Sequence, residues 1–293
     1  MQTTTPSAGT QWLLRWLSLP RFARIGVGPI LAALLLATII AITILSPWIA
    51  PHDPLAMDSL QRLKPPCQAY ILGTDNYGRD LFSRMLLGGR ISLMIGLFTA
   101  AFSICIGILI GLVAGFFRTA DAFIMRAMDA LMAMPSILIA IALVALNGPS
   151  ITSIIVAITI PEVPRVVRLV RSVILVAREE PYVEAALALG SSTMKILFRH
   201  LLPNTMAPMI VQGTYIVASA ILTEAILSFL GAGISTEVPT WGNIMAEGRT
   251  FFRIKPSLVL WPGLLLTLCV LSINLLGDAA RDALDPRLKK REA

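Results

Sequence analysis

The sequence predicts an all-α fold that crosses a lipid bilayer with six transmembrane helices. Three observations carry this. The 293-residue chain is 56% hydrophobic and only 14% charged, with a mean hydropathy of +0.78, whereas an ordinary soluble domain carries about 25% charged residues. Several apolar runs reach the roughly 20 residues that a helix needs to cross the hydrocarbon. Those runs are too long for barrel strands, and a helix satisfies every backbone group within itself.

The first span covers about 26–47, through "PILAALLLATIIAITIL", and ends at Pro47. A polar, proline-rich stretch follows to Gly73. "GTDNYGRDLFSRMLLGGR" then reads as a turn and a short amphipathic helix with Leu81, Phe82, Met85 and Leu86 on one side, capped and stapled by Asp75, Arg79 and Asp80. The second span covers about 91–117. The third, about 126–147, carries Pro135 as a kink. The fourth begins near Ser150 and meets Pro161 and Pro164; the fifth is about 206–230 and the sixth about 258–277. The domain reading is an N-terminal tail (1–25), a first helix with its outer loop (26–90), a core (91–278) and a C-terminal tail (279–293).

The net charge of +7 reflects Lys and Arg gathering in cytoplasmic loops, so no nucleic-acid partner is expected. Assigning the 24 Lys and Arg to alternate sides gives a bias of roughly two to one. That places both termini and the segment 179–204 in the cytoplasm. Cys67, Cys105 and Cys269 lack metal or redox spacing and read as unpaired, and His52 and His200 fall on opposite sides, so no metal site is expected.

The segment 179–204, "EEPYVEAALALGSSTMKILFRHLLPN", is too polar to span. "YVEAALAL" favours helix, with Glu180 and Glu184 placed to complement the helix dipole, and Gly190 is its natural stop. Ser191 and Ser192 are candidate caps for a second helix, which Pro203 is expected to end. The first helix offers Val183, Ala186 and Leu187 at helical spacing and the second Met194, Leu197, Phe198 and Leu201. Such a face rests on the membrane or is buried in a partner; the small residues and missing aromatic anchors of "EAALAL" favour the partner.

"EAALALG" followed after nine residues by "HLLP" resembles the EAA loop of the membrane subunits of binding-protein-dependent ABC importers. The pattern falls on Glu184, Ala185, Ala186, Gly190, Leu202 and Pro203. "LGTDNYGRDLFSRMLLGGRISL", "EAILSFLGAG", "PTWGNIMAEGR" and "NLLGDAARDALDPRL" are similar to the C-type permease of dipeptide, oligopeptide and nickel importers. The sequence departs at Leu187, where many relatives carry Arg, and at Ala279-Ala280. The resemblance implies a type I importer (MetI-like) transmembrane domain in a bacterial inner membrane. It also implies a coupling helix gripped by a cytoplasmic ATPase, with Glu184 pairing to a basic residue there. The implied partners are a second, related permease, two ATPases and a periplasmic or lipid-anchored solute-binding protein. ATP and magnesium would be held by the ATPases, since this chain has no phosphate loop of its own.

Other residues carry alternatives. Glu224 either lines the pathway or its gate, or bonds a neighbouring helix, and the second reading is favoured. Gln212, Tyr215, Ser219 and Asn274 are further pathway candidates. Gly107, Gly111 and Gly115 repeat at close-packing spacing, against either this chain or a partner. Arg165, Arg168 and Arg171 read as snorkelling to lipid phosphate, with ATPase contact as the alternative. Trp241 and Glu247 are either structural or part of a docking surface. The rival function is a secondary transporter or channel working without an ATPase.

Overall fold

The computed structural model describes residues 27–284. The tail assignment 1–25, most of 279–293 and the basic residues counted there lie outside the described residues. The long helices are α1 (Val27–Ile44), α2 (Leu81–Phe116), α5 (Ile151–Ala177), α7 (Thr193–Phe229) and α9 (Ser257–Leu284). Shorter ones are α3 (Arg118–Met132), α4 (Ser136–Asn147), α6 (Pro181–Ala188) and α8 (Trp241–Arg249). Four helices, α1, α2, α7 and α9, are long and apolar enough to cross a membrane, and the bent pair α3–α4 reaches that length only when its two helices are taken together. α5 has the length, at 27 residues, but carries Glu162 and three arginines. The six expected segments are therefore all helical, in the expected order.

The interior is organised around α2, which packs on α5 and α7; α7 packs on α9, and α9 on α1. α1 buries only Ala32, Ile39 and Thr43 and leaves Val27, Leu31 and Leu34 exposed. An outward row of large aliphatic side chains suits lipid.

Four boundaries differ from expectation, each for a local reason. The short helix at 81 and the second span are one 36-residue helix. It is capped by Asp80, whose carboxylate accepts from the Ser83 amide at 3.0 Å. Gly88 and Gly89 do not interrupt it; they admit Thr240 and Trp241, so that a β-carbon on Gly89 would lie 2.7 Å from the indole. The third span is not a kinked helix but two helices bent by 87°. Pro135 forces Met134 out of helical geometry and caps α4. Pro203 does not end the second insert helix, because it falls in the first turn after a π-helical stretch, Ile196–Leu201. The π-helical turn before it, with its wider bonding, accommodates the missing amide donor, and the helix runs on to Phe229. The last helix continues past 277, to Leu284.

The glycine repeat meets this chain itself. β-Carbons on Gly107, Gly111 and Gly115 would approach Val166, Val170 and Ile174 to 2.4–2.7 Å. Each glycine faces a β-branched residue one turn from the last, so α2 and α5 approach backbone to backbone. Arg178 closes the seam, donating from Nη1 to the Gly115 carbonyl at 3.1 Å.

Candidate coupling site and pathway

α6 begins after Glu180 with Pro181 in its first turn, where proline is tolerated, and places the Glu184 carboxylate in that turn. Gly190 ends the element with φ +74, and the Ser191 amide donates to the Ala186 carbonyl at 3.0 Å. This is the left-handed closure that glycine adopts without penalty. Ser192 takes the cap position of the next helix, but its side chain makes no capping bond.

The apolar residues of the insert divide in two. Val183, Ala186, Leu197 and Leu201 are buried, and Val183, Leu197 and Leu201 join a cluster with Val170, Ile174 and Ala177 of α5 and Met209 and Ile216 of α7. Leu187, Leu189, Met194 and Phe198 remain exposed. Asn204 reinforces the base, donating to the Tyr182 hydroxyl at 3.0 Å and to the His200 carbonyl at 2.7 Å. The insert is thus fastened to the ends of α5 and α7 while its outer side stays open. Glu184 and Ala185 lie on that open side, and Glu184 forms no ion pair among the described residues. Of the remaining loop positions, Ala186 faces inward, while Leu202 is half-buried and Pro203 exposed at the start of the following span.

Glu224 is fully buried within the chain. Its Oε1 accepts from Ser228 at 2.8 Å and from Thr240 at 2.7 Å. Thr240 also caps α8, accepting from the Asn243 amide, so Glu224 fastens α8 to α7. Tyr215 and Asn274 are exposed, and Gln212 and Ser219 are half-buried. Ser219 stands 3.4 Å from Glu162, a buried carboxylate on α5. Glu162 was absent from the expected site residues; its signal was a lone acid between two prolines in an apolar run.

Each of the three arginines of α5 is paired with a carboxylate of this chain. Arg165 pairs with Glu162 at 2.8 Å, Arg168 with Asp129 at 2.8 Å, and Arg171 with Asp121 at 2.5 Å. The last two partners lie on α3, which also packs its Met128 against Val163 and Val167 of α5.

On the face opposite the insert, Arg79 bonds Asp75 at 2.6 Å and Glu247 at 2.5 Å, with Arg84 behind them. Trp241 is fully buried and donates to the Met85 carbonyl at 3.1 Å. Trp241 and Glu247 therefore tie α8 to α2. Burial pushes the Glu247 carboxyl above its usual range, against the pull of Arg84 and Arg79. It pushes the Lys255 ammonium below its usual range, although Lys255 donates to the Lys64 and Thr74 carbonyls.

A bundle of membrane-length helices, with a polar element anchored at one end and open to a partner, defines a membrane-embedded subunit of a larger assembly. Residues 87–290 match the model of the binding-protein-dependent transport system inner membrane component. A probable peptide ABC transporter permease protein of Sinorhizobium fredii is 49% identical over 82% of this chain and 82% of its own. A glutathione transport system permease protein of Pectobacterium atrosepticum is 40% identical over 97% and 93%. A probable D,D-dipeptide transport system permease protein of Escherichia coli is 38% identical over 87% and 86%. An inward-facing structure of the MetNI methionine ABC transporter shares the fold, with a TM-score of 0.53 at 20% identity, covering 69% of this chain and 96% of that one. The chain belongs to the family of binding-protein-dependent transport system inner membrane components, the membrane-spanning permease subunits of ABC importers. Membership brings an ATPase and a substrate-binding protein as partners.

Proposed function

We propose that this permease forms half of a translocation pathway for peptides or a closely related solute in a bacterial cytoplasmic membrane. A second, homologous permease supplies the other half. Two ATPases bind the insert from the cytoplasm, where both termini also lie, and a periplasmic or lipid-anchored protein delivers the solute. ATP and magnesium sit in the ATPases, and this chain carries no catalytic residue. The relatives with peptide and glutathione permease names support the solute class.

The observation that carries the coupling role is the division of the insert. Val183 and Ala186 of α6 are buried, while Glu184 and Leu187 on the same helix face outward. Force applied to the outer side passes through Val183 into the cluster with Ile174 of α5 and Ile216 of α7. Glu184 and Ala185 provide the grip, Gly190 the closure, and Leu202–Pro203 the entry into the span. Closure of the ATPases on ATP then tilts α5 and α7 together, which alternates access to the pathway. Reversing the charge with Glu184→Lys is expected to lower recovery of the ATPase with the tagged permease at least severalfold at physiological salt. Unchanged recovery would overturn the role of Glu184.

A further inference from the structure

The pair Glu162–Arg165 lies where lipid cannot accept it. α5 has 27 residues, about 40 Å at 1.5 Å per residue, and Arg165 falls about 21 Å from its Ser150-capped end. Measured from that end, a hydrocarbon layer about 30 Å thick reaches past it. Side chains on a helix lean toward its N-terminus, and Arg165 does so, donating from Nη1 to Glu162 Oε1 at 2.8 Å. That direction leads away from the insert face, so the guanidinium is not reaching for the nearer headgroups. Yet its side chain is 41% exposed, while that of Glu162 is 7% exposed. A half-exposed guanidinium at this depth faces water or another polar surface.

The neighbouring helix indicates water. The Ser219 hydroxyl also points to Glu162 Oε1, at 3.4 Å. α7 runs antiparallel to α5, so Tyr215, one turn from Ser219 toward the insert, shares the level of Arg165; it is 53% exposed. Gln212 continues the same stripe. The second carboxylate oxygen of Glu162 is buried without a partner among the described residues, as are the hydroxyls of Thr159, Thr99 and Ser103. The glycine register places Ser103 one turn before Gly107, opposite Glu162, which precedes Val166 by one turn. Buried polar groups gathered in this way are the setting in which internal water is held.

We propose that Arg165, held by Glu162, is a cationic subsite on the wall of a water-filled pathway, receiving an anionic group of the passing solute such as a peptide carboxylate. It rests on the permease reading above. Glu162 is the positioning residue, and only one guanidinium nitrogen is engaged by it, which leaves the others for a carboxylate.

The test uses the complete transporter in membrane vesicles, with Cys67, Cys105 and Cys269 replaced and Tyr215→Cys as the single thiol. Membrane-impermeant methanethiosulfonates, one anionic and one cationic, are the probes. Both are expected to label. Arg165→Gln should lower the anionic-to-cationic rate ratio at least threefold, Arg165→Lys should keep it, and Glu162→Gln should raise it. Labelling by a lipid-soluble maleimide alone would overturn the proposal in favour of a lipid face. No labelling would overturn it in favour of a seat for the second permease, and a ratio unmoved by Arg165→Gln would remove the arginine from the wall. ATP-dependent solute uptake by the same vesicles reports separately on the permease reading. Uptake without labelling sinks only the subsite; labelling without uptake sinks only the permease reading.

Discussion

Arg171 of α5 clasps Asp121 of α3 with two parallel bonds, Nε to Oδ1 at 2.5 Å and Nη2 to Oδ2 at 2.6 Å. The pair holds the short, charged arm of the broken span against the helix that leads to the insert. Both side chains are less than a third exposed, and the fork geometry is that of a strong ion pair. Arg171→Gln and Asp121→Asn are each expected to cost about 1 kcal/mol. That lowers the melting midpoint in detergent by about 2–4 °C. The double variant should lose less than the sum, read as a double-mutant cycle by tryptophan fluorescence. Additive losses would show that the residues act separately.

Gly111 faces Val170 so closely that a β-carbon would lie 2.7 Å from the valine β-carbon. Gly111→Val is expected to destabilise the chain by about 1–3 kcal/mol through overpacking. Val170→Ala in the same chain should restore part of the loss by opening the space. No rescue would mean that the seam does not close against Val170.

Gly190 poses a different constraint. Nothing lies within 4 Å of a β-carbon there, but φ is +74, so a side chain costs conformational energy and no clash. Gly190→Ala is expected to cost about 1 kcal/mol and to lower the melting midpoint by about 2–4 °C. Solute-stimulated ATPase activity of the assembled transporter should fall. Unchanged stimulation would count against a rigid turn at the grip.

Burial holds the Lys255 pKa below its ordinary 10.5. In the window between its folded value and 10.5 the unfolded chain binds more protons, so stability rises with pH there. Compared with Lys255→Met, the natural chain should therefore gain in melting midpoint as pH rises toward 10.5. A difference that shrinks with pH would reverse the assignment.

The spans were legible because apolar runs of membrane length have one solution in lipid, and Gly190 was legible because glycine marks helix ends. What escaped depended on distance along the chain. Arg171 and Asp121 are 50 residues apart and Arg168 and Asp129 are 39 apart, so a run of arginines at the end of a span reads as snorkelling to lipid phosphate. Pro135 and Pro203 show a second limit. The same residue breaks a span where its predecessor must leave the helix, and is accommodated where a π-helical turn precedes it. Glu224 was legible as a structural bond, but not its partners: its Oε1 accepts from Ser228 on its own helix and from Thr240 in the far-side connection, and no reading of a single helix supplies the second.

The glycine seam also has a mechanical meaning. With Val166, Val170 and Ile174 seated against glycine backbone, α2 and α5 have no slack in which to slide or spring apart. Over the length of that seam they form one closely packed unit, so a rotation imposed near Ala177 passes from α5 to α2. No such seam spans the 87° break between Met132 and Ser136, which leaves the two arms of that pair coupled less tightly than α2 and α5.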